Sequence, residues 1–94
     1  MSTFKAKILT PEGSVFEGTV TGVRMPGTLG SFEIKHNHAP IVSTLVEGRV
    51  KIQGKVIINE NNRSKFIQEG EFTFLDIQSG AIELSDNKVI LLTD

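Results

Sequence analysis

Apolar and polar residues alternate along most of this chain, in short pieces. Phe4, Ala6 and Ile8 are separated by lysines, and Ile82 and Leu84 flank a glutamate. A period of two places successive side chains on opposite faces of an extended strand, so the pattern predicts strands that each turn one face to a core. Glycine and proline interrupt the chain so often that long helices have no room.

The clearest predicted hairpin lies around Gln53-Gly54. Alternating apolar residues precede this pair at residues 50–52 and follow it at residues 56–58, which is typical of two strands joined by a tight turn. Two longer pieces without glycine or proline are also predicted to be strands around a turn, residues 55–69 and 81–94. Strands separated by turn signals at this spacing favour an all-β fold, an antiparallel sandwich or a barrel.

The alternation slips by one position near Gly22. Phe16 and Val20 lie on one face, whereas Val23 and Met25 continue the apolar set one residue out of register. A β-bulge inserts one residue and restores the inward face, and glycine tolerates the backbone angles of a bulge. The slip therefore predicts a bulge at Gly22.

Two segments are apolar on both faces, residues 41–46 and 89–92. A strand of a sandwich needs only one apolar face, so the second face indicates a binding partner. The alternative is that both segments are central strands covered by loops or by the other sheet.

Length and composition narrow the function classes. Ninety-four residues with a net charge of −1 make one domain, and the chain has neither a basic stripe nor any Trp or Tyr for base stacking, which argues against nucleic-acid binding. The absence of Cys excludes disulfides and cysteine-ligated metals. Because residues 1–9 have no signal-peptide core and no apolar run could span a bilayer, we expect a soluble protein on the cytosolic side.

Candidate chemistry is sparse. His36 and His38 would point the same way on a strand, but Glu33 has the opposite parity and a metal site needs further ligands. Two other interpretations of these histidines are open. One histidine packs at a protein contact, or the two flank a turn that ends at Ala39-Pro40. The glycine-rich segment at residues 26–31 lacks the Gly-Lys-Ser/Thr ending of a P-loop, and no acid or hydroxyl forms a catalytic group with a histidine.

Several motifs together resemble the epsilon subunit of bacterial F-type ATP synthase. They span the whole chain in the order of that family, and the most recognisable is His-Ala-Pro after a glycine-rich turn. The matching segments are Ile8-Leu9-Thr10-Pro11-Glu12-Gly13, Val15-Phe16-Glu17-Gly18, Gly27-Thr28-Leu29-Gly30-Ser31-Phe32-Glu33-Ile34, His38-Ala39-Pro40, residues 45–52, Ser79-Gly80-Ala81-Ile82-Glu83-Leu84 and residues 86–94.

The resemblance implies a flattened antiparallel β-sandwich of about ten short strands, a single domain over residues 1–94, with no catalysis of its own and no cofactor or metal. It implies a rotor subunit of the central stalk that links the gamma subunit to the c-subunit ring and couples proton-driven rotation to ATP synthesis. The expected location is the cytoplasmic face of the bacterial inner membrane, where the chain meets the membrane only through the ring.

The resemblance also assigns two partner-binding surfaces. The ring-facing loop falls on Gly27, Thr28, Leu29, Gly30, Ser31 and Phe32. The gamma-facing surface includes Thr10, His38, Ala39, Pro40 and Val42. Among these residues the strongest candidates are Gly30, Ser31 and Phe32 at the ring, and His38, Pro40 and Val42 at gamma.

The chain departs from the family pattern in three places. Ser31 stands where relatives often carry an acid, with Glu33 as a substitute from the other side of its strand. His36-Asn37 replaces the usual Pro-Gly, and Asn can adopt the left-handed conformation of a turn. Most relatives continue into a helical hairpin that restrains ATP hydrolysis and sometimes binds ATP. We expect no such hairpin here, and therefore coupling without inhibition by that arm and without ATP binding.

The competing hypothesis is an unrelated small β-sandwich that binds a ligand or a protein, or an enzyme. An enzyme or ligand-binding module predicts a cleft in which His36, His38 and an acid converge. A stalk module predicts an exposed apolar patch on one sheet face and no concentrated polar pocket. The positions of the two histidines and of the residue 27–32 loop distinguish these hypotheses.

Overall fold

A computed structural model describes residues 2–94 of the chain. It contains ten strands and one 3₁₀ helix. The strands are β1 (Phe4–Thr10), β2 (Gly13–Val20), β3 (Gly22–Gly27), β4 (Gly30–Ile34), β5 (Ile41–Leu45), β6 (Gly48–Gln53), β7 (Ile67–Glu69), β8 (Phe72–Ile77), β9 (Gly80–Ser85) and β10 (Lys88–Thr93), and the 3₁₀ helix covers Glu60–Lys65.

The strands form one curled sheet in the order β2-β1-β10-β9-β5-β3-β6-β8-β7, with β4 paired to β3. We call the strands from β2 to β5 in that order the first layer, and the others the second layer. The predicted all-β sandwich is confirmed, and its extents of 32 × 31 × 22 Å make it flattened. The pairing is antiparallel throughout these residues except between β1 and β10. These two strands lie far apart in sequence, so no hairpin fixes their relative direction.

The core lies between the layers and is built by the alternation seen in sequence. Phe4, Ala6 and Ile8 of β1 are at most 4% exposed, and the alternating partners of β9 and β10 are also buried. Burying a side chain of this size contributes roughly 1.5–3 kcal/mol to folding. The largest side chains with less than 2% exposure come from both layers: Val20, Met25, Ile34, Leu45, Val50, Ile52, Thr73 and Ile82.

The register slip near Gly22 has a different cause from the one predicted. β2 ends at Val20, and the Thr21 amide donates to the carbonyl oxygen of Gln53 at 2.9 Å. The chain then starts β3, which pairs with β6 instead of β1. The predicted bulge at Gly22 is therefore a change of strand and layer, which also resets the inward face.

A register shift does occur earlier, in β2. Ile8 is paired with Phe16 and Leu9 with Ser14, which leaves Val15 as the extra residue. Val15 and Phe16 are both buried. A bulge permits this, because it places two consecutive residues of one strand opposite a single position of its partner. The sequence pattern did not indicate this shift.

The predicted hairpin at Gln53-Gly54 is wrong. β6 pairs with β8, and the Gly54 amide donates to the carbonyl oxygen of Glu71 at 2.8 Å. Residues 55–59 form no strand, although Ile58 is 3% exposed and Ile57 is 91% exposed. Val56, which is partly buried against the core, and the buried Ile58 both turn inward from an irregular segment, so the pattern alone could not distinguish this segment from a strand.

Of the two longer pieces, only the second folds as predicted. Residues 81–94 lie in β9 and β10, joined at Asp86-Asn87, which both have positive φ. Residues 55–69 instead contain the 3₁₀ helix, where the Asn59 side chain accepts from the Asn61 amide at 3.0 Å, and the short strand β7. Within the described residues, none of the helical structure is long and apolar enough to cross a membrane.

Candidate partner interfaces

The predicted ring-facing loop is the tip of the β3–β4 hairpin. Gly27 is paired with Gly30, and Thr28-Leu29 form the two-residue turn between them. Gly30 has a φ of 118°, a conformation that glycine adopts without the cost that a side chain would impose. The Leu29 side chain is fully exposed, so the hairpin presents one apolar group at its tip.

Phe32 has a mainly structural position. It lies two residues after Gly30 on β4, opposite Met25. Its side chain faces inward and is half-buried against the core. The phenyl ring lies against the backbone of Gly27, which it can approach because glycine has no Cβ. Of the predicted ring-facing residues, Thr28, Leu29, Gly30 and Ser31 are exposed at the tip. Gly27 is buried, and Phe32 holds the hairpin to the sandwich.

Ser31 and Glu33 lie on the same side of β4, because residues two apart on a strand share a face. The expectation that Glu33 approaches from the other side of its strand is wrong. Glu33 is opposite Arg24, and its Oε2 would lie 3.6 Å from a Cβ placed on Gly22. The carboxylate thus leans away from the tip.

The histidines lie in an exposed loop at residues 35–40, at the opposite end of the sandwich from the Leu29 tip. His36 and Asn37 form a turn, in which Asn37 has a φ of 59° as the sequence suggested. His38 Nδ1 lies 2.7 Å from the Ala39 carbonyl oxygen, so Nδ1 carries the proton, since a carbonyl only accepts. Among residues 2–94, no three His, Cys, Asp or Glu side chains are arranged to hold a metal ion.

The outer side of the first layer carries an apolar patch. The register aligns Thr44, Ala81, Leu92 and Leu9 across β5, β9, β10 and β1, and a second row contains Val42 and Ile90. Val42 is 79% exposed and Leu92 52%. We define the apolar outer face as Leu9, Val42, Ala81, Ile90 and Leu92.

Charged residues interrupt and border this face. Glu83 lies between Val42 and Ile90, and Lys7 follows Ile90 in the same row. Most of the apolar area is therefore contiguous along the row that contains Leu92. Such a face on a sandwich whose core is already complete is typical of a protein contact.

Thr10 does not join the apolar outer face. Its hydroxyl donates to the Gly13 carbonyl oxygen at 3.3 Å and accepts from the Glu12 amide at 3.2 Å. It lines a half-open cavity of about 510 Å³ at the end of the sandwich. The structure thus brings Val42 together with the outer face, on the strand that directly follows the 35–40 loop, and separates it from Thr10.

The rim of this end cavity is acidic. Asp94 Oδ1 accepts from the Thr93 hydroxyl at 2.8 Å and from the amides of Gln78 and Ser79 at 3.2 and 3.3 Å. These hydrogen bonds, the one from Thr93 foremost, lower the pKa of Asp94. Neither histidine lines the cavity, so the cleft expected of an enzyme, with His36, His38 and an acid together, is not formed there.

Four residues of the apolar outer face were not among the contact residues predicted from the sequence: Leu9, Ala81, Ile90 and Leu92. The signal for two of them was present, because residues 89–92 are apolar on both faces. The choice between a central strand and a contact face needed the sheet order, which places nothing over this side of β10.

Comparison with known proteins places the chain in a family. Residues 3–94 match the family model described as ATP synthase, Delta/Epsilon chain, beta-sandwich domain. The ATP synthase epsilon chain of Chlorobium limicola is 35% identical over 91 residues, covering 97% of this chain and 89% of that protein. The epsilon chain of Nitratiruptor sp. is 30% identical over 94 residues, and this chain spans 63% of its length.

Solved structures show the same fold at low sequence identity. The match within the Tetrahymena thermophila mitochondrial ATP synthase central stalk and c-ring has a TM-score of 0.71 at 13% identity, covering 95% of this chain and 61% of that one. A chain of the Euglena gracilis mitochondrial ATP synthase has a TM-score of 0.73 at 14% identity, covering 99% and 51%. By family model and by whole-chain similarity to named relatives, this chain belongs to the ATP synthase epsilon family of non-catalytic accessory stalk subunits.

Proposed function

We propose that this chain is a rotor subunit that links the gamma subunit to the c-subunit ring of an F-type ATP synthase. The observation that carries the proposal is the apolar outer face, with Val42 and Leu92 exposed on a sheet whose opposite side is already packed. A face of this kind in a family of stalk subunits needs a protein to cover it. Gamma is the proposed partner for it.

The ring is the proposed partner of the hairpin tip. Leu29 is fully exposed there, and it lies on the second layer, whereas the apolar outer face belongs to the first. Two separate surfaces allow both partners to be held at once. The strands of each layer are hydrogen-bonded side by side, and the layers join where Gly27 of β3 pairs with Leu45 of β5. Extensive strand pairing favours a stiff body, which transmits torque without slip.

The proposed location follows from these partners. The sandwich lies at the cytoplasmic face of the bacterial inner membrane and meets the bilayer only through the ring. Proton flow turns the ring, and the sandwich holds gamma to that rotation during ATP synthesis. Residues 1–94 act as one epsilon-type domain in this proposal, with no nucleic acid and no small-molecule substrate.

We also propose that the sandwich has no ATP site. The glycine-rich segment at residues 27–30 closes a two-residue hairpin and leads into β4. A phosphate-binding glycine loop relies on the N-terminus of a following helix, which this geometry does not supply. Titration calorimetry with ATP is expected to show no heat of binding, and a saturable isotherm would contradict this part of the proposal.

Co-elution on size exclusion with the matching alpha–beta–gamma complex tests the gamma surface. Leu92→Arg puts a charge on the apolar outer face and is expected to weaken incorporation by about tenfold or more, as for a contact at an interface centre. Ile67→Arg is the matched control, because Ile67 is 46% exposed on β7 at the far edge of the second layer. Equal incorporation of the two variants would contradict gamma binding at this face.

A further inference from the structure

The side chain of Asn87 joins three segments that are distant in sequence. Its Oδ1 accepts from the Asn37 amide at 2.9 Å, and its Nδ2 donates to the Thr3 carbonyl oxygen at 3.1 Å. Its own carbonyl oxygen accepts from the Lys5 amide at 3.2 Å. The β9–β10 turn, the start of β1 and the 35–40 loop therefore meet at one residue.

The backbone of the turn fixes where this carboxamide points. Asp86 and Asn87 have φ of 50° and 60°, the two consecutive positive values of a type I′ turn. Asn is among the few residues that adopt this conformation readily. The bond to Asn37 requires an acceptor, and the bond to Thr3 requires a donor. A carboxamide supplies both from a single short side chain.

The 35–40 loop depends on this contact for its position. Its side chains are exposed, and the His38 ring bonds only within the loop, to Ala39. Across residues 2–94, the bond from Asn37 to Asn87 is the one side-chain hydrogen bond that ties this loop to another segment. Beyond Pro40 the chain enters β5, which carries Val42 on the apolar outer face.

We infer that Asn87 is a positioning residue that holds the 35–40 loop, and with it the entry of the chain into Val42 on the apolar outer face, in the orientation that meets gamma. The inference rests on the proposed gamma contact and extends it to a residue that touches neither partner surface. Holding the loop in place before binding removes an ordering cost at the moment of association. The bond to Asn37 is the part of the contact that matters for gamma, and the bond to Thr3 is not.

Two variants separate these bonds. Asn87→Gly preserves the positive φ of the turn and removes both side-chain hydrogen bonds. Asn87→Asp keeps an acceptor for the Asn37 amide but has no donor for the Thr3 carbonyl. Asp86→Gly is the matched control, because it makes the same glycine change at the neighbouring turn position without touching the contact.

The measurements are amide hydrogen exchange at Asn37 in the isolated chain and affinity for the alpha–beta–gamma complex at physiological salt. In Asn87→Gly, exchange at Asn37 is expected to be faster and affinity lower by about fivefold, the factor that corresponds to one net hydrogen bond. Asp86→Gly and Asn87→Asp are expected to stay within about twofold of wild type in affinity. Melting temperatures of the two glycine variants should agree, which separates positioning from stability.

Two results would overturn the inference. Asn87→Gly could bind gamma as well as Asp86→Gly does, or Asn87→Asp could lose affinity while its Asn37 amide remains protected. In the second case binding would follow the Thr3 bond instead. If the wild-type chain does not bind the complex, the proposed function itself fails, and the exchange data still show separately whether Asn87 holds the loop.

Discussion

The ring of Phe32 occupies the space where a side chain on Gly27 would begin. A Cβ at Gly27 would lie 2.9 Å from two ring carbons of Phe32 and 2.9 Å from the Gly30 carbonyl oxygen. A phenyl ring can shift, but the carbonyl belongs to the backbone of the paired strand and cannot move without opening the hairpin. The close approach of β3 and β4 therefore requires glycine at position 27.

Gly27→Ala is expected to destabilise the protein by about 1–3 kcal/mol, the usual cost of overpacking a closely packed site. Urea unfolding measures this free energy. Ser31→Ala, an exposed change on the neighbouring strand, is the control and should remain within about 0.5 kcal/mol of wild type. A Gly27→Ala protein as stable as that control would show that the hairpin has more room than the structure indicates.

The segment after Gly54 gives a second stability prediction from two adjacent isoleucines. Ile58→Ala removes a side chain that is 3% exposed and should cost about 2–5 kcal/mol. Ile57→Ala removes one that is 91% exposed and should change stability by less than about 0.5 kcal/mol. Equal effects in denaturant unfolding would contradict the inward position of Ile58 and the exposure of Ile57.

Arg49 and Asp76 form an exposed ion pair between β6 and β8, with Arg49 Nε 2.7 Å from Asp76 Oδ1. The hydrogen bond from the guanidinium lowers the pKa of Asp76 below its usual value. Since the folded pKa is depressed, the pair stabilises the fold above the unfolded pKa of about 3.9. This contribution is lost as the pH falls through the folded pKa.

A carboxyl NMR titration measures this effect directly. The midpoint of Asp76 should lie below about 3.9 in the wild-type chain and move back up in Arg49→Gln. Glu12→Gln is a suitable control, because it removes the other surface ion pair, with Lys65, and should leave the Asp76 titration unchanged. An Asp76 midpoint that does not respond to loss of Arg49 would contradict the assigned cause.

Strand positions were predictable from this sequence wherever one face of the strand meets the core. Alternation at Phe4, Ala6 and Ile8, and along residues 81–94, directly reports burial on one side. The pairing partner of each strand was harder to predict from the sequence. The 53–54 turn has a local hairpin signal, yet β6 pairs with the distant β8, because ladder formation depends on which faces share the core.

The candidate surfaces were predictable in part, and the limits are physical. The position of the residue 27–32 hairpin follows from its glycines, but the orientation of Phe32 depends on its packing over Gly27. Thr10 and Val42 are strand residues on opposite faces of one layer, which only the register shows. The contact of Asn87 with Asn37 spans fifty residues and has no local signature.

If one sandwich carries two separate partner surfaces, a single substitution on each surface should affect only one partner. Affinities of wild type, Leu29→Arg and Leu92→Arg should be measured against the alpha–beta–gamma complex and, separately, against detergent-solubilised c-ring, with Ile57→Arg as the exposed control. Leu29→Arg is expected to lose the ring and keep gamma, and Leu92→Arg is expected to do the reverse. Loss of both partners in either folded variant, or loss of neither in both, would contradict the proposal of two separate surfaces.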